Sequence, residues 1–184
     1  LSDDDVQGPF SIGFTFQFYG NNYTDFYVGS NGWIGFSSGQ PTSYFADTIP
    51  NSTSTVMPRN CIMLSWEDLN PSTGGQVLYQ TIGNAPNRKM VLTFDNVPYF
   101  GSTTIARPIT FQVVLYEESN VIDNHIMDKP LHTNLSVQGI HNLLGTSATV
   151  VPGRNATIWS ANQESVRYFP SGVSWYDVNS GQMI

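Results

Sequence analysis

Charged side chains are scarce in this sequence. Only 11% of its 184 residues are Asp, Glu, Lys or Arg, whereas roughly a quarter is typical of soluble proteins. Helices usually carry Lys, Glu and Arg on their solvent-facing sides, while a surface of Thr, Asn, Ser and Gly favours strands and turns. The composition therefore favours an all-β protein.

Basic residues are the rarer of the two charged classes. Seven Lys and Arg stand against fourteen Asp and Glu, which gives a net charge of −7, and the basic residues form no cluster. Nucleic acids and anionic membrane surfaces are bound by such clusters. We therefore expect no nucleic-acid partner and no direct contact with a membrane.

Cysteine and long apolar runs are also nearly absent. The single cysteine, Cys61, excludes an internal disulfide framework, and its apolar neighbours indicate a buried core thiol. No apolar run approaches the roughly 18 residues of a membrane span, so no direct membrane insertion is expected. The sequence begins with Leu1 and without a signal peptide, so we interpret it as part of a larger, processed protein.

Two-residue alternation is abundant. Apolar side chains occupy positions 10, 12, 14, 16 and 18, and 109–116 repeats the pattern, as expected for strands with one buried face. Further strands are predicted at 25–28, 33–36, 61–66, 76–82, 89–94, 121–126, 134–141, 148–151, 164–169 and 173–178. About ten short strands indicate a β-sandwich or a barrel. We predict an antiparallel, jelly-roll-like β-sandwich.

One long polar segment interrupts the strands. Residues 37–59 are rich in Ser, Thr, Asn and Pro and predict a long loop across one end of the sandwich. We assign residues 1–170 to a single sandwich module. Residues 171–184 form either its final strand or a linker that opens a following immunoglobulin-like repeat, and both alternatives stay open.

Several motifs occur in an order typical of a known family. They include Gly13-Phe14-Thr15-Phe16, the run from Tyr27 to Phe36 (YVGSNGWIGF), and the run from Ile62 to Leu69 (IMLSWEDL). This chain resembles the β-sandwich module repeated in large secreted surface proteins of Bacteroidetes-type bacteria, which is distantly similar to the nidogen (NIDO) domain.

The resemblance implies an extracellular, non-catalytic module of a multidomain surface protein that serves adhesion or display. It carries over no defined ligand. We expect the partner to be a surface glycan or protein, or only neighbouring domains of the same chain, and the module to be a monomer in isolation.

Motifs for catalysis are missing. The sequence has no Gly-x-Ser-x-Gly elbow. A glycoside hydrolase needs two carboxyl groups about 5 to 9.5 Å apart, but Glu67 and Asp68, like Glu117 and Glu118, are adjacent and point to opposite faces of a strand. Only Glu117 or Glu118 with Asp123 forms a plausible pair, so a hydrolase is the least favoured alternative and we expect no enzyme.

A carbohydrate-binding module is the stronger alternative. Aromatic faces bind the C–H surfaces of sugars, and aromatic residues occur in predicted loops at Tyr44, Phe45, Tyr99, Phe100 and Trp159. Packing beneath the long loops explains the same residues.

Three consecutive acids near the start raise the question of a metal. Ca²⁺ prefers oxygen ligands, and Asp3, Asp4 and Asp5 supply carboxylates. They form either a structural calcium site or a solvated turn before the first strand.

Overall fold

The computed structural model describes residues 1–101 and 107–170 and the backbone of 176–177. Within these residues there is no α-helix and one short 3₁₀ turn, Pro71–Thr73. The strands are β1 (Val6–Phe18), β2 (Asn21–Gly29), β3 (Trp33–Gly35), β4 (Cys61–Trp66), β5 (Gln76–Ile82), β6 (Lys89–Val97), β7 (Ile109–Tyr116), β8 (Ile122–Lys129), β9 (Ser136–His141), β10 (Ala148–Thr157), β11 (Ala161–Tyr168) and β12 (Tyr176–Asp177).

The strands form two antiparallel sheets of six. The first has the order β1-β2-β3-β4-β9-β10 and the second β12-β11-β8-β7-β6-β5. Most neighbours are consecutive hairpin strands, and the chain changes sheet between β4 and β5, β8 and β9, and β10 and β11. The predicted all-β antiparallel sandwich is confirmed.

The main core lies between the two sheets. On β1 the buried side chains are Ile12, Phe14, Phe16 and Phe18, and they alternate with exposed residues. The second sheet contributes the same pattern, for example from β6 and β7, where the rings of Phe94 and Phe111 stack at 4.7 Å. Period-two patterning thus produces one apolar face per strand.

The central strands of the first sheet are buried on both faces. All six residues of β4 and all six of β9 are buried. A second apolar cluster covers the outer face of this sheet, where Ala46, Ile49 and Met57 of the loop between β3 and β4 pack against Trp33 and Trp66. We call residues 36–60 the excursion. It reaches one end of the sandwich, as predicted, and also covers a sheet face, which explains why all six residues of β4 are buried.

The turn between β2 and β3 needs its glycine. Gly32 has a φ of +82°, and a Cβ there would lie 2.3 Å from the carbonyl oxygen of Ser65. Its own carbonyl accepts hydrogen bonds from the backbone N–H groups of Leu64 and Ser65. This close approach fixes the turn against the end of β4 and positions Asn31 beside it.

The end of the chain is described only in part. Tyr176 and Asp177 pair antiparallel with Arg167 and Val166 of β11. The rest of 171–184, for which a final strand and a following repeat were alternative predictions, lies outside the described residues.

Candidate functional site

Exposed apolar side chains gather at one end of the sandwich. Tyr44 and Phe45 lie in the excursion, Phe100 follows β6, and Leu135 precedes β9. Each of these four side chains is between 40% and 69% exposed. We call this group the aromatic end, and clustered exposed apolar residues of this kind mark interaction surfaces.

Three of the four residues of the aromatic end line a cleft that also contains a carboxylate. Tyr44, Phe45 and Leu135 line a cleft of about 260 Å³ together with Asp68 and Asn134. Phe100 is held next to Asp68, since its backbone N–H donates to the Asp68 carbonyl at 3.1 Å. The cleft therefore combines apolar walls with a carboxylate and an amide, both able to bind hydroxyl groups.

Asp68 also belongs to an acidic cluster. One carboxylate oxygen from each of Asp3, Asp4 and Asp68 lies within 4.8 Å of the other two. Buried Asn31 connects the two segments, because its Nδ2 donates to Asp4 Oδ1 at 2.8 Å and its Oδ1 accepts from the Leu69 N–H at 2.9 Å. The Asn31 turn thus brings residues 65 positions apart together, which no local pattern indicates.

The cluster has unbalanced negative charge. Burial, followed by the charges of Asp4 and Asp3, raises the pKa of Asp68 to about 6. Burial and the charge of Asp4 also raise the pKa of Asp3. Within the described residues, the buried Oδ1 of Asp3 has no hydrogen-bond partner. A cation between these groups would relieve both the repulsion and the missing partner.

The donor chemistry fits a hard cation in part. Ca²⁺ takes about six to eight oxygen ligands, and the cluster offers three carboxylates, so backbone oxygens or water would have to complete the shell. Asp5, the third acid of the predicted site, lies outside the cluster and accepts hydrogen bonds from Ser2 N and Gln7 Nε2. Calcium binding stays a prediction, with Asp68 in the place of Asp5.

Two of the five predicted binding aromatics lie in the core. Tyr99 is 1% exposed, and its hydroxyl donates to the Pro130 carbonyl at 3.3 Å. Trp159 is 8% exposed, and both Lys129 Nζ and the Arg154 guanidinium lie 4.4 Å from its ring centroid. Their faces are occupied by protein, so only Tyr44, Phe45 and Phe100 of the predicted set are available to a ligand.

A buried ion pair lies near the end of β4. Lys129 Nζ is 3.1 Å from Glu67 Oε1 and donates to the Trp159 carbonyl at 3.1 Å. The Ser65 hydroxyl donates to Glu67 as well. Burial raises the pKa of Glu67 and lowers the pKa of Lys129, and in each case the partner's charge opposes the shift. This pair holds β4 to β8 across the core.

Three of the five acids considered for hydrolysis are paired with cations. Glu117 forms a salt bridge with Arg88, and Asp123 accepts two hydrogen bonds from Arg167 at 2.6 and 2.7 Å. Glu67 is held by Lys129. These carboxylates are therefore arranged as structural ion pairs and not as a facing acid–base dyad.

One polar arrangement on the outer face of the second sheet was not expected. The Ser165 hydroxyl lies 2.6 Å from His125 Nδ1, and His125 Nε2 lies 3.9 Å from Asp123 Oδ2. That second distance is too long for a hydrogen bond, and Asp123 is already bound by Arg167. The group therefore lacks the base–orienter contact of a catalytic triad.

Comparison with known proteins identifies the family. The model of the family described as "NIDO related" matches residues 1–172. The chain belongs to the NIDO-related family. No curated protein and no solved structure matches this NIDO-related domain. Among its described residues, no helix is long and apolar enough to cross a membrane. The family suggests an extracellular module and is not typically catalytic.

Proposed function

We propose that this NIDO-related domain is a non-catalytic module of a larger extracellular surface protein, where it serves adhesion and display. The observation that carries the proposal is the aromatic end, a set of exposed apolar side chains around the Asp68 cleft on an otherwise well-packed sandwich. Family membership supports the extracellular location.

The arrangement of the loops supports a binding role. The excursion that carries Tyr44 and Phe45 is anchored on both sides of them. Trp66 Nε1 donates to the Ser43 carbonyl at 3.0 Å, and Ile49 exchanges two hydrogen bonds with the Asn155 side chain. A contact surface held in place before binding loses little conformational entropy when a partner arrives.

The ion-paired carboxylates support the proposal that the module is non-catalytic. Hydrolysis requires a carboxyl group free to move a proton or attack, while Glu67, Glu117 and Asp123 are each bound to a cation.

A glycan is the second candidate for the ligand of this surface. Aromatic rings beside hydroxyl-binding groups suit sugars, and Tyr44 and Phe45 share the cleft with Asp68 and Asn134. A protein partner would use the apolar side chains in the same place.

The test is a triple substitution, Tyr44→Ala, Phe45→Ala and Phe100→Ala, with retention measured on glycan and extracellular-protein arrays. Because the three side chains are exposed, we expect an unchanged melting temperature and a loss of retention of at least tenfold. The matched control is Leu144→Ala, which removes a side chain 66% exposed in the turn after β9, at the far end of that strand from Leu135. Equal retention by the triple variant and the control would rule out the aromatic end as the contact surface.

A further substitution distinguishes the two ligand classes. Asn134→Leu leaves the apolar walls of the cleft in place and replaces its amide with another apolar side chain. If the ligand is a glycan, retention falls, because hydroxyl groups lose a hydrogen-bonding partner. If the ligand is an apolar protein surface, retention stays or rises.

A further inference from the structure

A buried histidine attaches the excursion to the first sheet. His141 is the last residue of β9, and its side chain is 0% exposed. Its backbone pairs with Cys61 of β4 on one side and Ala148 of β10 on the other. Its Nδ1 lies 3.2 Å from the Pro58 carbonyl oxygen, and its Nε2 accepts from the Asn51 N–H at 3.4 Å. One imidazole therefore holds two separate points of the excursion.

The two partners determine the protonation state of the ring. A carbonyl only accepts hydrogen bonds, so Nδ1 carries a hydrogen and donates to Pro58. A backbone N–H only donates, so Nε2 turns its lone pair to Asn51. The ring is thus a neutral imidazole. A protonated ring carries a hydrogen at Nε2 as well and cannot accept from Asn51, while its bond to Pro58 is unchanged.

Asn51 in turn organises residues 51–54, which we call the 51–54 segment. Its side-chain Oδ1 accepts from the backbone N–H groups of Thr53 at 3.1 Å and Ser54 at 3.0 Å. The Arg59 guanidinium donates to the carbonyls of Ser52 and Ser54 at 2.8 and 2.6 Å. The segment is therefore attached to the domain through the Asn51 N–H and through Arg59.

Arg59 also opposes a positive charge on the ring. Burial lowers the pKa of His141, the backbone of Pro58 and Gly145 opposes that shift, the charge of Arg59 adds to it, and the pKa is lowered as a result. Protonation would therefore remove the bond to Asn51 and place a second cation near the guanidinium that holds the rest of the segment.

The other titratable groups around the ring do not supply a counter-charge. Cys61 on β4 is neutral, because burial raises the pKa of its thiol. Tyr19, whose hydroxyl donates to the carbonyl of Ile140, is neutral because burial raises its pKa too. Asp47 accepts from Asn51 Nδ2 at 3.4 Å, but Asp47 is exposed, and solvent screens its charge.

We propose that His141 is a pH-sensitive anchor of the excursion: protonation of its ring in mild acid releases the 51–54 segment, while the rest of the excursion stays attached. Ile49 keeps its two hydrogen bonds to the Asn155 side chain, which does not titrate. The anchor is separate from the aromatic end and does not depend on the proposed function, because His141 pairs with Cys61 at the start of β4, whereas Asp68 follows the end of that strand.

The direction and size of the effect follow from proton binding. The released ring titrates near the ordinary imidazole value of about 6.5, and the held ring titrates lower, so the released state binds more protons and gains population as pH falls below about 6.5. If the held ring stayed neutral throughout, the opening equilibrium would rise about tenfold between about pH 7.5 and about pH 5.5. We expect a rise of about threefold to tenfold.

Amide hydrogen exchange, followed by NMR at those two pH values and corrected for intrinsic rates, measures the opening. We expect the rise at the amides of Asn51, Thr53 and Ser54, and none at Ile49, whose N–H donates to the Asn155 side chain. His141→Gln, which can accept from Asn51 but does not titrate, should remove the rise. No rise in wild type, an equal rise at Ile49, or an undiminished rise in His141→Gln would overturn the proposal.

Two control variants exclude other titrating groups. The pKa of Asp68 is raised to about 6, so this side chain titrates in the same window beyond the other end of β4. His132 also has a lowered pKa, and its Nδ1 accepts from the Asn134 N–H. Asp68→Asn and His132→Gln should each keep the full rise at the 51–54 segment. Its loss in either variant would assign the release to that group and overturn the proposal.

A measurement on the wild-type protein keeps the proposal testable if His141→Gln does not fold. Nitrogen-15 NMR of the imidazole reports which ring nitrogen carries the hydrogen and at what pH the ring titrates. We expect the hydrogen at Nδ1 of His141 at neutral pH and a titration midpoint below the value of about 6.5 for an exposed imidazole. A hydrogen at Nε2, or a midpoint at or above that value, would contradict the anchor.

Discussion

Replacing Lys129 with Met should destabilise the fold by about 3 to 5 kcal/mol at neutral pH, because it leaves the Glu67 carboxylate buried without a counter-ion. Both side chains are at most 1% exposed, and their charged atoms approach to 3.1 Å. With an effective dielectric constant of about 20, unit charges at that separation attract by roughly 5 kcal/mol. The variant also removes the donor to the Trp159 carbonyl.

The loss of stability in Lys129→Met should grow as pH rises. Burial already raises the pKa of Glu67, and removing the Lys129 charge raises it further. A carboxyl group whose pKa is higher in the folded than in the unfolded state favours folding below its unfolded pKa, and this contribution is lost as pH rises. The Lys129→Met variant should therefore lose stability, relative to wild type, as pH increases from about 5 to about 8.

Urea denaturation followed by far-UV circular dichroism at these pH values measures the effect. A double variant, Glu67→Leu with Lys129→Met, should recover most of the loss, because two apolar side chains replace two buried charges. Arg107→Met is the control, since Arg107 is 72% exposed in its salt bridge with Asp128 and should cost less than about 1 kcal/mol. A loss below about 1 kcal/mol for Lys129→Met, or a loss independent of pH, would show that the pair is not an isolated buried ion pair.

Four further outcomes are expected. In chelator at pH 7, Asp68→Asn should raise the melting temperature and increase the free energy of unfolding by about 1 to 2 kcal/mol, a figure reduced to allow for solvent screening. The raised pKa of Asp68 shows that its charged form is unfavourable in the folded state, so the gain should disappear below about pH 4. Added Ca²⁺ should stabilise wild type and Asp5→Asn alike but not Asp68→Asn, and an absence of any calcium shift in wild type would count against the metal site. Tyr99→Ala should destabilise the fold by about 3 to 5 kcal/mol, as measured by urea titration, and a stable variant with reduced ligand retention would contradict its assignment to the core. Burial raises the pKa of Asp123, but the hydrogen bonds from Arg167 and Tyr116 and the charge of Arg167 together outweigh burial and hold this pKa below its usual value. The stabilising contribution of Asp123 is therefore lost as pH falls through that lowered pKa. Arg167→Gln should therefore flatten the loss of melting temperature below about pH 4, and an unchanged acid profile would argue against the pairing.

Strand positions can be predicted from the sequence because the alternation of apolar and polar residues is a local property. The predicted strands at 61–66, 76–82 and 109–116 match β4, β5 and β7 at both ends. The extent of others is missed where the pattern breaks. β1 begins at Val6, four residues before the apolar series, and β10 continues to Thr157 through Pro152 and its register breaks.

The candidate site was predicted less completely because its parts meet only through tertiary contacts. Asp68 joins Asp3 and Asp4 through the side chain of Asn31, a connection that no spacing shows. Tyr99 looks like a loop aromatic in the sequence, yet its backbone pairs with Leu69 in an isolated bridge that draws the ring inward. Tyr44 and Phe45 remain exposed because the chain on both sides of them is anchored.

The anchored excursion has a consequence for how this surface tolerates substitution. Ala46, Ile49 and Met57 close the outer core of the first sheet, while Tyr44 and Phe45 face solvent only a few positions away. Substitutions in the first set would disturb the outer core, whereas substitutions in the second leave it covered. The two exposed positions can therefore accept new residues at little cost to the fold, and a library randomised at these two positions should yield mostly folded variants.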